Sequence, residues 1–381
     1  MTAALQLSFE PQTQPQELRV AVFAGNRHIA EVWFRCRSGH KLTANADALF
    51  ALGLYPASEV GTALVLAGEV DPDLLVRSNQ ITALYRDWWS DCRQVEVSAS
   101  TRHATATAME QGTALFYSGG IDSSFSLVEA GPRLSAIVTM LGVDVPLSDR
   151  AACGQLERLC HDVAQSRRID AIVIETNVRE VFHPFAGWIE HHGAVMAAIG
   201  HMLSRNVGRI IISASGNETA WDSPWGSHPA LDPLYGSATL AVEHHGLVSR
   251  FDKIARILSE DDLMRNLRIC NRQRENCGLC DKCAFAMRAF EILRAGERAV
   301  TFPPVSPRRG RLKIVDDAFL SEMERLRAAA TEAGPKDMLP ELDGIIAAYR
   351  GHATWPRLLR MRALNFLRVA RHHLRWRRKT S

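Results

Sequence analysis

Residues Ser118-Gly119-Gly120-Ile121-Asp122-Ser123-Ser124 combine the residue types that a phosphate-binding turn needs. The apolar run Thr113–Tyr117 precedes them, and the helix-like stretch Phe125–Ala130 follows. A buried strand that feeds a glycine turn into a helix N-terminus aims consecutive N–H groups into one concavity, and the helix end adds positive partial charge. Asp122, Ser123 and Ser124 suit the N-cap and first turn, and the serine hydroxyls can donate to phosphate oxygens. The G-x4-G-K-[ST] spacing is absent, which excludes a Walker-type loop. A plain strand-to-helix turn capped by Asp122 uses the same residues, so both readings stand at this point.

A second group capable of chemistry is Cys270, Cys277, Cys280 and Cys283, spaced C-x6-C-x2-C-x2-C. Four thiolates match a closed tetrahedral Zn²⁺ site, where ligand softness and geometry agree and no coordination position stays open. An iron–sulfur cluster and a redox group compete with that reading. A closed site acts structurally, pinning the chain ahead of a helix expected over Ala284–Arg294. The other cysteines, Cys36, Cys92, Cys153 and Cys160, are scattered, which argues against a disulfide framework.

The order S-G-G-x-D-S after a strand resembles the pyrophosphate loop of the PP-loop ATP pyrophosphatases. Joined to Cys, then Cys-Gly-x-Cys-x-x-Cys, about 150 residues later, it is similar to 7-cyano-7-deazaguanine synthase. The resemblance covers roughly residues 112–296, about half the chain. It implies a HUP-like (adenine nucleotide alpha hydrolase-like) fold that uses ATP, Mg²⁺ and Zn²⁺. It also implies an ATP-dependent C–N ligase. A substrate carboxylate is adenylated, pyrophosphate leaves, and ammonia or an amine displaces AMP to give an amide, or a nitrile after a second activation. By the same likeness, Ser118, Gly119, Gly120, Asp122, Ser123 and Ser124 hold the departing phosphates. Asp122 orients the metal, Lys253 is a phosphate ligand, and main-chain atoms from Thr139 to Gly142, Met140 included, take the adenine. A solvated helix position is the competing reading of Lys253.

The likeness breaks after the fourth expected strand. Where the family carries Tyr-Pro-Asp-Cys-Arg, this chain reads Gly216-Asn217-Glu218-Thr219-Ala220-Trp221-Asp222-Ser223-Pro224-Trp225-Gly226-Ser227-His228-Pro229, then Leu231-Asp232-Pro233. Asn217, Trp221, Trp225, His228 and Asp232 are candidate substrate contacts: the indoles suit a flat ligand, and His228 with Asp232 suits an amine. Aromatics packed inward are the alternative. The acceptor is thus expected to differ from the family's. No glutaminase-like Cys and His set is evident, so ammonia or an external amine is the expected donor.

Positioning these groups requires an α/β architecture. From Thr113 the chain alternates apolar runs (Leu134–Leu141, Ala171–Ile174, Arg209–Ser213) with helical periodicity (Arg150–Arg167, Gly187–Arg205). That rhythm predicts a parallel sheet with helices on both faces and a ligand cleft beyond the strands' carboxyl ends. Ser118, Gly142 and Ser215 should meet there. Residues 1–97 read as a small N-terminal α+β domain with strands over Glu17–Ala24, His28–Arg35 and Val95–Val97. Helices are expected over Asp47–Leu54, Asp73–Leu75 and Ile81–Trp89, with the Trp88-Trp89 pair serving as packing. Residues 98–111 read as a linker, 112–300 as the catalytic domain and 301–381 as a helical, basic C-terminal region.

Composition sets the outer bounds. With 46% hydrophobic and 23% charged residues among 381, the chain is an ordinary globular protein of two or three domains. No run of about 20 apolar residues occurs, and the start through Gln16 lacks a signal-peptide pattern, so a cytoplasmic location is expected. The net charge of +3 hides an asymmetry: residues 351–381 carry nine Lys or Arg and no acid. Trp355–Arg378 has the spacing of a basic amphipathic helix, suited to RNA, an anionic membrane surface or an acidic partner. Packing is expected over Leu358–Ala370 and fraying beyond. A homo-oligomer is the expected assembly. Two further functions fit the residues: RNA modification by adenylation, with Cys153 and Cys160 as the available thiols, and a non-catalytic ATP-binding scaffold.

Overall fold

A computed structural model describes residues 3–102, 112–270, 272–304, 310–351, 370–376 and 378. Ten strands form one sheet: β1 (Leu5–Phe9), β2 (Glu17–Ala24), β3 (Arg27–Cys36), β4 (Leu64–Val70), β5 (Val97–Thr101), β6 (Gly112–Phe116), β7 (Leu134–Leu141), β8 (Asp170–Thr176), β9 (Val207–Ser213) and β10 (Ala241–His245). Their order is β10-β9-β6-β7-β8-β3-β2-β1-β4-β5. The run from β10 to β8 is parallel throughout. Strands buried on both faces read as near-continuous apolar sequence, which is why Leu134–Leu141 and Arg209–Ser213 stood out.

Helices flank the sheet: α1 (Ala46–Val60), α2 (Pro72–Trp88), α3 (Ile121–Ala130), α4 (Arg150–Arg167), α5 (Val178–Phe182), α6 (Trp188–Met202), α7 (Arg250–Ile257), α8 (Asp261–Arg265), α9 (Asp281–Ile292), α10 (Asp317–Glu332) and α11 (Leu339–Gly351). The expected α/β class with a largely parallel sheet is present. Among the described residues no helix is long and apolar enough to cross a membrane.

The sequence suggests a separate unit over residues 1–97, and the sheet instead runs through that region. Strand β3 pairs antiparallel with β8 through Phe34↔Thr176, Arg35↔Glu175 and Cys36↔Ile174. Asn177 reinforces the seam, its Oδ1 accepting from Trp33 N at 2.9 Å and its Nδ2 donating to Glu31 O at 3.0 Å. One apolar core includes Val32, Phe34, Leu49, Phe50, Val138, Ile174 and Val195. Helix α1 is buried along its whole length against α6 and β4. A helix apolar all round belongs in an interior. It continues through Pro56 to Val60, past the expected end at Leu54. The two helical stretches expected around Asp73 and Ile81 are the single helix α2. The expected linker is a strand over its first residues: β5 pairs parallel with β4 at the sheet edge. Residues 103–111 lie outside the described ones.

A second core joins α7, α9, α10 and α11 through Ile254, Phe285, Phe290, Met323, Leu326 and Leu342. Among the described residues the C-terminal region forms helices from Asp317 onward, with residues 310–316 irregular. The packed stretch expected from Leu358 falls largely outside the described residues. Beyond Ala370, where fraying is expected, the chain is instead anchored. Trp376 is 1% exposed and its ring lies 5.5 Å from that of Phe185. His372 bonds the buried Glu59 of α1. Apolar burial and this hydrogen bond together hold the described turns. Trp376→Ala is expected to cost about 3 kcal/mol through loss of a large buried side chain, measurable by urea denaturation.

Candidate functional site

The loop after β6 is built by its glycines. Gly119 has φ +74°, a left-handed conformation, and a Cβ there would lie 2.9 Å from Leu159 Cδ1. Gly120 is the N-cap of α3 and no side chain bonds the first-turn N–H groups. Asp122 and Ser123 therefore sit inside the first turn instead of capping it. The Ser123 hydroxyl closes the loop on itself, donating to Gly120 O at 3.2 Å and accepting from Ser118 N at 3.3 Å. The result is an open helix N-terminus facing a cavity.

That cavity has a volume of about 1070 Å³. Ser118, Gly120, Asp122 and Ser123 form one side, and Val138, Thr139, Met140, Ile212, Ser213 and Ser215 place it beyond the carboxyl ends of β6, β7 and β9. Ligands of open α/β sheets bind at such a position. Gly119 and Ser124 stand behind the wall, and Ser124 is fully buried beside the Tyr117 hydroxyl. Gly142 also misses the cavity: its N–H bonds Val145 O at 2.9 Å, and it packs on the backbone of Thr176.

Lys253 is beneath the loop, 1% exposed, and does not line the cavity. Its Nζ donates to Asp122 Oδ1 at 2.9 Å and to Ala214 O at 2.6 Å. Arg250, one turn earlier on α7, lies 3.8 Å from Asp122 Oδ2 and donates to Ser215 O at 3.0 Å. Burial would raise the Asp122 pKa, but the Lys253 and Arg250 charges outweigh it and hold the carboxyl below its ordinary value. Asp122 thus reaches the cavity as a carboxylate.

The loop after β9 divides its residues differently from the sequence expectation. Trp225 lines the cavity beside His192, with ring centroids 5.9 Å apart. Trp221 is 55% exposed and is not part of the wall. His228 is buried with its ring 4.5 Å from that of Trp88, and Asp232 is fully buried. Asp232 accepts from Ser227 Oγ at 2.7 Å and bonds His244 Nδ1 at 2.8 Å. These two polar residues brace the loop internally because a buried carboxylate needs its own donors. Asn217 turns to α10, where Nδ2 donates to Ser321 Oγ at 3.0 Å and Glu322 Oε1 at 3.1 Å.

The structure adds cations that motif reading missed. Arg179, Arg250, Arg268, Arg272, Arg274 and Lys282 all line the cavity. Only Arg250 carried a local signal, since it precedes Lys253 by three positions and shares its helix face. Of the free thiols, burial pushes Cys160 up to about 11 and raises Cys153 as well. Both belong to the apolar core under α4.

The four clustered cysteines come together. Their sulfur atoms all lie within 4.8 Å of one another, a set that can hold a metal ion such as zinc. Leu279 N donates to Cys277 Sγ at 3.4 Å and Cys280 N does so at 3.3 Å. Burial raises the Cys277 thiol, but those N–H groups prevail and bring it down to about 7. Cys280 caps α9 and Cys283 sits in its first turn, so helix and sulfur cluster fix each other. Compared with known family models, curated proteins and solved structures, the chain matches none at a significant level.

Proposed function

We propose that this protein is an ATP-dependent ligase of the PP-loop pyrophosphatase type, which adenylates a carboxylate and joins it to ammonia or an amine. The observation that carries this reading is the uncapped N-terminus of α3 opening into a cavity of about 1070 Å³ among cationic side chains. Such a site favours a polyphosphate through backbone donors, helix dipole and side-chain charge together. The acyl substrate's carboxylate oxygen bonds the α-phosphorus of ATP as the bond to the β-phosphate oxygen breaks, and pyrophosphate departs. The amine nitrogen then bonds the acyl carbon, AMP departs, and the amine proton is released.

Within that scheme the chain mainly positions and neutralises charge. First-turn N–H groups of α3 face the departing phosphates, and Arg250 reaches the same side. Asp122 is the loop carboxylate that would hold a Mg²⁺, which would supply charge neutralisation. Lys253 acts through Asp122, keeping it ionised and fixed. Met140 and Thr139 form the wall suited to a nucleoside, and Trp225 with His192 the wall suited to the acceptor. The four cysteines would hold Zn²⁺ through their sulfur atoms, and its contribution would be structural. RNA modification draws less support, because its candidate thiols Cys153 and Cys160 are buried in the core.

Incubation with ATP, Mg²⁺, ammonia and a panel of carboxylates tests the reading through product analysis. AMP with pyrophosphate is expected, whereas ADP with phosphate overturns it. Asp122→Asn is expected to lower AMP release about 10²-fold, the scale of removing one preorganised charge-stabilising group.

A further inference from the structure

The cations that line the cavity come largely from one segment, and that segment is wrapped around the four cysteines. Arg268 precedes Cys270 by two positions, Arg272 follows it by two, and Lys282 lies between Cys280 and Cys283. All three line the cavity. None has a carboxylate within ion-pairing distance among the described residues, whereas Arg274 is committed to Asp149 at 2.7 Å. Three like charges facing one space repel one another and are relieved by a multiply charged anion.

The segment is also bonded to the loop. Arg268 N donates to Gly119 O at 2.8 Å, and Asn266 O lies 3.3 Å from where a Gly119 Cβ would stand. The sulfur cluster orders the same stretch: Arg272 N donates to Cys270 Sγ at 3.4 Å, and Asn276 Oδ1 accepts from Ile269 N at 2.9 Å. Lys282 belongs to the helical turn that begins at Cys280. Fixing four sulfurs therefore fixes the origins of Arg268, Arg272 and Lys282 and supports the loop from behind.

We infer that Arg268, Arg272 and Lys282 form a diphosphate clamp assembled by the metal-bound cysteines, so that metal occupancy sets affinity for pyrophosphate and for the terminal phosphates of ATP. The inference rests on the adenylating reading and adds an anion site under metal control. A tetrahedral centre leaves each ligand little freedom, so the cations meet the anion already positioned and less ordering is lost on binding. A ligand with one phosphate leaves part of the positive charge uncompensated. Pyrophosphate and ATP should accordingly bind more tightly than AMP.

Calorimetric titration of the full chain with pyrophosphate, ATP and AMP, in the metal-loaded and chelator-stripped forms under reducing conditions, tests this without turnover. Zinc loading is expected to tighten pyrophosphate binding at least tenfold at unchanged far-ultraviolet circular dichroism. A double variant, Arg272→Ala with Lys282→Ala, should keep one equivalent of zinc and lose at least tenfold in pyrophosphate affinity. Equal affinity with and without metal, or an unaffected double variant, overturns the clamp while leaving ATP cleavage intact. If stripping unfolds the chain, the double variant decides alone. A loaded wild-type protein that binds neither pyrophosphate nor ATP overturns both the clamp and the ligase reading.

Discussion

Lys253→Met is expected to destabilise the protein by about 3 kcal/mol, the scale of stripping one partner from a buried ion pair. The ammonium is 1% exposed and bonds both Asp122 Oδ1 and Ala214 O, so its loss leaves a carboxylate and a carbonyl unmatched together. Arg250, 3.8 Å from the other carboxylate oxygen, compensates only partly. The pH dependence should change with it. The folded pKa of Asp122 is depressed, so its contribution is present above the unfolded value and is lost as pH falls through the folded one. Without Lys253 that depression shrinks, and the variant should lose less further stability between neutral pH and about pH 3 than the wild type. Urea denaturation across that range measures both effects. Asp122→Asn combined with Lys253→Met should cost less than the sum of the single changes, because the two groups act as a pair. Strict additivity would remove the pair from the account of the loop.

The parts of the candidate site that were legible have local signals. The turn after Thr113–Phe116 and the cysteine spacing are each confined to a short stretch whose geometry follows from residue type. Strand β7 and helix α4 occupy the ranges read from apolar periodicity, Leu134–Leu141 and Arg150–Arg167. The unread parts depend on pairing across long separations. Nothing near Phe34 announces Thr176 as its partner, and the hairpin pattern of β2 and β3 is equally compatible with a free-standing sheet. Glu322 bonds both Asn217 and the backbone N–H of Arg250, a contact that ties the C-terminal helices to the cavity with no motif to mark it. Burial raises the Glu322 pKa, and the charge and backbone N–H of Arg250 offset the cost in part. Polar residues in the loop after β9 misled for a related reason. A sequence shows that Asp232 and His228 are polar, but whether they face a ligand or the loop's own backbone is decided by packing.

Gly142→Ala separates a structural glycine from a ligand-binding one, and its expected effect is on the fold. The residue has φ +94°, and an added Cβ would stand 1.9 Å from Thr176 O, a backbone atom that cannot swing aside. Left-handed strain alone is worth about 1–2 kcal/mol. Displacing the end of β8 adds overpacking of about 1–3 kcal/mol. A loss of about 4 kcal/mol in urea denaturation is therefore expected, larger than for Trp376→Ala. The site suffers through its frame: the turn after Gly142 supplies Val143 O to Arg179 Nη1 at 2.6 Å, and both residues line the cavity. Under the proposed ATP-dependent function, apparent nucleotide affinity should fall in proportion to the folded fraction, with the remaining folded protein binding normally. A variant with wild-type stability that no longer binds ATP would show instead that the main chain at Gly142 meets the adenine. The 1.9 Å approach to Thr176 favours the first outcome, because the backbone of β8 occupies the space a side chain would need.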